Sequence, residues 1–115
     1  PFPTQYGATL VSPKKHIEHI ARDLNKEEYI KLQELVYIIT KAVGKAVNPE
    51  RMYVASFGSQ QMNKHVHFHI IPIPSAVSIR EQQMASMMPE IVGMLELEKD
   101  EWDELEQRIK RELKF

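Results

Sequence analysis

The segment His65-Val66-His67-Phe68-His69-Ile70-Ile71-Pro72 constrains this chain more than any other. Imidazole and apolar side chains alternate with period two, which is the pattern of an extended strand with two different faces. His65, His67 and His69 leave one face, while Val66, Phe68 and Ile70 leave the other and belong to a core. Pro72 closes the strand, because proline has no amide hydrogen for a ladder. Threonine or lysine would serve equally well on a solvated strand, so three imidazoles in a row point to chemistry rather than to surface.

The rest of the chain supplies partners for that strand. Arg51 to Phe57 reads as a second strand, and the polar connector Gly58 to Lys64 is short enough for the two to pair as an antiparallel hairpin with a wide loop. Ala8 to Ser12 reads as a further strand closed by Pro13. Between them the period changes to that of a helix over Asn25 to Val47, with Leu32, Leu35, Val36, Ile39 and Val43 on one face. Asn25 and Glu28 form a capping pair at its start, and Asn48-Pro49 ends it.

After the histidines, Pro72, Pro74 and Ser75 open an irregular stretch. A short helix is expected over Arg80 to Met88, interrupted by Pro89, and a short edge strand over Gly93 to Leu97. Asp100 to Leu113 reads as a final helix with Trp102, Leu105, Ile109 and Leu113 on its apolar face. The expectation is one α+β domain over residues 1–115: an antiparallel sheet of four to five strands, the long helix on one face and the C-terminal helix nearby.

Composition narrows the function. A chain of 115 residues fits one domain, and 15 basic against 16 acidic residues leaves a net charge of −1. Binding nucleic acid by bulk charge is therefore not expected. The absence of cysteine removes disulfides, thiolate metal sites and a cysteine nucleophile. No apolar stretch approaches the ~20 residues that span a bilayer, and the start lacks a signal-peptide pattern, so a cytoplasmic protein without membrane contact is expected.

Two chemistries compete for the histidines. Neighbouring ones are about 6.6 Å apart along a strand and can share a metal, but the outer pair, about 13 Å apart, cannot. A zinc site would need a distant ligand, and the connector Gly58 to Lys64 holds neither Asp nor Glu. No metal and no cofactor are expected. A phosphate chain lying along the strand would instead meet several imidazoles in turn, each able to donate, accept or attack near neutral pH. Gly58 frees the backbone beside such an anion, and Ser59, Gln60 and Gln61 add neutral donors; aimed dipoles hold an anion without net positive charge.

These residues carry a family resemblance. His65-x-His67-x-His69 followed by two apolar residues and Pro72 resembles the histidine-triad (HIT) family of nucleotidyl hydrolases and transferases. Leu10-Val11-Ser12-Pro13-Lys14-Lys15-His16-Ile17, Asp23-Leu24 and the long helix are similar to that family in order and spacing. Gly58-Ser59-Gln60-Gln61 and Pro72-Ile73-Pro74 look most like a bacterial branch. The resemblance implies that His67 attacks the α-phosphorus of a nucleotide ester, anhydride or phosphoramidate and forms a covalent nucleotidyl-histidine that water resolves. It implies that the His65 carbonyl accepts from Nδ1–H of His67, that His69 lies by the leaving oxygen, and that Gln61, assisted by Ser59 and Gly58, contacts phosphate. A nucleotide or dinucleoside polyphosphate substrate and a homodimer follow from the same likeness. Ala8 stands where many members carry histidine, and members usually have more residues ahead of the Leu10-Val11 strand. Both departures point to the alternative, a catalytically weak nucleotide-binding or interaction module.

Overall fold

The computed structural model describes residues 3–58 and 63–115. Among them three strands form one antiparallel sheet in the order β1-β3-β2, with β1 at Thr9–Val11, β2 at Arg51–Ala55 and β3 at Phe68–Ile73. The histidine-bearing strand is therefore central. His69 stands opposite Leu10 of β1 and Ala55 of β2.

The expected count of four to five strands is corrected to three among the described residues. Gly93–Leu97, expected as an edge strand, is irregular: Gly93 sits at φ 78° and the Leu95 N–H donates to the Pro3 carbonyl at 2.9 Å instead of entering a ladder. The histidine strand is also displaced. It starts at Phe68 rather than His65, because the Val66 N–H is taken by the Ile17 carbonyl (2.6 Å) and the His65 carbonyl by a side chain. It continues through Pro72 to Ile73. β1 pairs only as far as Ile70, so Pro72 has a strand on one side alone, where a missing amide hydrogen is tolerated.

Helix α1 is a single turn, Ile20–Asp23, and α2 is the long helix, Lys26–Val47. The capping box at its start is complete: Asn25 Oδ1 accepts from the Glu28 N–H at 2.8 Å, and Glu28 Oε1 accepts from the Asn25 N–H at 3.0 Å. Asn48 ends it in the left-handed region, its N–H donating to the Gly44 carbonyl at 2.8 Å. The stripe Leu32, Val36 and Val43 packs on Val11, Val66, Phe68 and Ile70, which form the core. Alternation thus holds across 66–70 even where no ladder forms.

The opposite face of the sheet is not simply a row of imidazoles. Ile71 and Ile73 are as buried as the core residues. Beyond β3 the chain forms two 3₁₀ turns, Ile79–Glu81 and Gln83–Met87, and a short helix α3, Pro89–Val92, of which Met87 and Pro89 line a cleft together with Ile71. These replace the single helix expected over Arg80–Met88, and Pro89 opens a helix rather than merely interrupting one. Thr4 Oγ1 and Gln5 Nε2 both donate to the Ser86 carbonyl (2.5 and 3.1 Å), which ties this segment to the N-terminal strand lead-in. Helix α4, Lys99–Glu112, buries Leu105 against α2, and Arg108 donates to the Ala46 carbonyl and to the Tyr6 hydroxyl.

Candidate active site

His67 is half-buried just ahead of β3, and its Nδ1 lies 2.7 Å from the His65 carbonyl oxygen. A carbonyl can only accept, so Nδ1 carries the proton and Nε2 of the neutral ring keeps its lone pair. This is the contact that the family likeness implied. His69 is also half-buried. Its ring meets that of His67 edge to face at 4.9 Å between centroids and lies 5.9 Å from the Phe57 ring.

Burial first, and the neighbouring His67 second, push the His69 imidazole below its ordinary value of 6.5. The folded value lies below the unfolded one. The neutral ring therefore supports folding fully above pH ~6.5, and that support is lost as pH falls from there through the depressed folded value. An NMR titration should place the His69 midpoint below 6.5 in the wild type. His67→Ala should raise it only part of the way, because burial is the larger cause. A midpoint at or above 6.5 in the wild type would remove this account.

His65 takes a different place from its two companions. Its ring points into the turn Pro13–Ile17, with Nε2 at 2.6 Å from the Pro13 carbonyl and Nδ1 at 3.1 Å from the Ile17 amide nitrogen. His16 stacks on it at 5.3 Å and 14°, while its own Nε2 pairs with Glu18 at 3.2 Å on the exposed side. Gly58 is exposed at φ 67°, a conformation that favours glycine, and no atom of the described residues lies within 4 Å of the position a Cβ would take. Ser59 and Gln61 lie outside the described residues.

A cleft of about 510 Å³ opens beside His69. Ala8, Thr9 and Leu10 of the β1 region form one wall, Ile71 the floor, and Met87, Pro89 and Trp102 the far side. Apart from Ala8, which the sequence marks as standing where many family members carry histidine, none of these reads from sequence as part of a site. Trp102 reads there as one member of an apolar helix face, and only its half-exposed position at the cleft shows a second use. Among the described residues, no group of three or more His, Asp or Glu side chains is placed to hold a metal.

One histidine on the central strand of a small antiparallel sheet and two just ahead of it, with a capped long helix behind, define a class of α+β proteins. The chain belongs to the HIT domain family, which matches residues 1–75. It is 38% identical over 76 residues to the adenosine 5′-monophosphoramidase of Schizosaccharomyces pombe, an overlap of 64% of this chain and 53% of that protein. The chain thus spans about half the length of this curated relative. A Hit-like protein involved in cell-cycle regulation from Bartonella henselae shares 29% identity at a TM-score of 0.73, over 97% of this chain and 75% of that one. A hypothetical histidine triad nucleotide-binding protein from Sulfolobus tokodaii shares the fold, with a TM-score of 0.72 at 24% identity, over 96% and 72% of the two chains.

Proposed function

We propose that this chain is a HIT-type hydrolase that cleaves at the α-phosphorus of a nucleotide phosphoramidate, ester or anhydride through a covalent nucleotidyl-His67. The observation that carries this reading is the 2.7 Å bond from Nδ1–H of His67 to the His65 carbonyl, which in the neutral ring leaves the Nε2 lone pair available for attack. The name of the Schizosaccharomyces pombe relative favours a phosphoramidate over the other two bonds.

In the first step the Nε2 lone pair forms a bond to phosphorus, and the bond to the leaving nitrogen or oxygen breaks with its electron pair. The departing atom takes its proton from solvent, while His69, held neutral, can donate its one N–H as a hydrogen bond to it. In the second step water attacks phosphorus and gives up a proton to the free ring nitrogen of His69, from which it passes to solvent, while the N–P bond breaks and its electrons return to Nε2. Ser59 and Gln61, with the backbone at Gly58, would hold the phosphate oxygens. The cleft beside His69 would take an apolar part of the substrate, with Trp102 available for stacking.

The test mixes the protein with adenosine 5′-phosphoramidate and follows AMP release, with acid-stopped samples weighed by mass spectrometry. Release of AMP with a transient nucleotidylated mass is expected. Neither product nor adduct across phosphoramidate, ester and anhydride substrates would sink the proposal. Such a result would favour the binding-module alternative, which the position of Ala8 on the cleft wall already supports.

A further inference from the structure

We infer that His65 is a positioning residue whose ring clasps the turn Pro13–Ile17 to the triad segment, and so holds in place the carbonyl that fixes the tautomer of His67. The ring geometry admits one neutral form. Nε2 faces the Pro13 carbonyl at 2.6 Å, and a carbonyl only accepts, so Nε2 carries the proton. Nδ1 then has a lone pair, into which the Ile17 N–H donates at 3.1 Å. The Ile17 carbonyl lies 3.2 Å from the same Nδ1, but it already accepts from the Val66 N–H at 2.6 Å. Both ring nitrogens of His65 are occupied by backbone, and His16 covers one ring face. No polar ring atom is left to meet a substrate.

The reason for such a clasp lies in the strand boundary. β3 begins at Phe68, so the peptide between His65 and Val66 has no ladder to hold it. Its orientation is set by the Val66 bond to Ile17 and by the ring bonds to Pro13 and Ile17. That same peptide supplies the carbonyl that accepts Nδ1–H of His67. Loss of the ring bonds therefore leaves that peptide on the Val66 bond alone, about which the carbonyl can tilt away from His67, whose proton can then sit on either nitrogen. The ring acts through His67 and not on the substrate.

The first arm of the test is independent of activity. Ring ¹⁵N NMR of the folded wild type is expected to show His65 protonated on Nε2 and His67 protonated on Nδ1. His65→Phe keeps a flat ring for His16 to stack on but removes both bonds, and His67 should then become a mixture of tautomers. The second arm rests on the proposed reaction: with adenosine 5′-phosphoramidate, His65→Phe should lower kcat on the order of 10²-fold, the cost of a small misplacement, with KM within a few-fold. His65→Gln, whose amide N–H can reach the Pro13 carbonyl, should recover much of that loss. A wild-type His65 protonated on Nδ1, or a His67 tautomer unchanged in His65→Phe, would overturn the inference. A wild type that hydrolyses nothing would overturn the functional reading alone, with the NMR arm still deciding the clasp.

Discussion

Replacing His67 with alanine is expected to leave a folded protein whose turnover of adenosine 5′-phosphoramidate has fallen by about 10⁴-fold or more, the scale of losing a nucleophile. Folding should survive because the ring is half-buried and outside the core. Among the described residues it makes one hydrogen bond, to the His65 carbonyl, worth about 1 kcal/mol net. A drop of a few degrees in Tm is the corresponding scale for a domain of this size. The mass adduct should vanish with turnover. His69→Ala separates the two rings' roles: with a leaving group that needs no proton, such as a p-nitrophenyl ester, it should still form the adduct on His67. An adduct that persists in His67→Ala would move the nucleophile to another residue, and turnover within tenfold of wild type would end the covalent scheme.

What could be read from the sequence follows the range of the forces involved. The α2 helix and its capping box were legible because both rest on neighbours three or four residues apart, and the box between Asn25 and Glu28 forms as the residues dictate. The alternation of 65–70 was legible for the same reason, since side-chain period needs no knowledge of partners. The strand boundary was not. Whether His65 to His67 joins the ladder depends on the Pro13–Ile17 turn, 48 or more residues away in sequence, which captures the ring of His65 and the amide of Val66. The failed edge strand at Gly93–Leu97 has a similar cause, since its Leu95 amide goes to Pro3. In the site, the three imidazoles were visible as a set, but their division was not: His65 turns toward backbone while His69 faces a cleft with Met87, Pro89 and Trp102. Those cleft residues come from a region whose apolar spacing reads as ordinary core, and only the tertiary packing distinguishes a lining residue from a filling one.

Gly7→Ala is expected to destabilise the protein by about 3–4 kcal/mol, from two costs that can be measured apart. Gly7 is buried at φ 89°, a conformation costing a residue with a side chain about 1–3 kcal/mol. A Cβ there would also stand 2.6 Å from Val47 Cγ2 and 3.1 Å from Pro72 Cγ, so α2 or β3 must give way, at another ~1–3 kcal/mol for an overpacked site. At roughly 4–8 °C per kcal/mol, Tm should fall by about 12–32 °C. Val47→Ala removes the atom nearest to the new Cβ. The double variant Gly7→Ala/Val47→Ala should therefore lie about 1–2 kcal/mol above the sum of the singles, while the backbone cost remains. Strictly additive costs would show that the close approach to Val47 carries nothing, and a Gly7→Ala protein as stable as wild type would remove both terms. The consequence extends to the site, because Gly7 is where the lead-in bends into β1. Ala8, Thr9 and Leu10 follow it directly and form the cleft wall beside His69, so a chain that relieves the clash by shifting β1 narrows or opens that cleft. Relief through the side chain of Val47 would leave the wall unmoved. A variant that loses stability but keeps its kinetics would therefore locate the adjustment in α2, and one that also changes KM would locate it in β1.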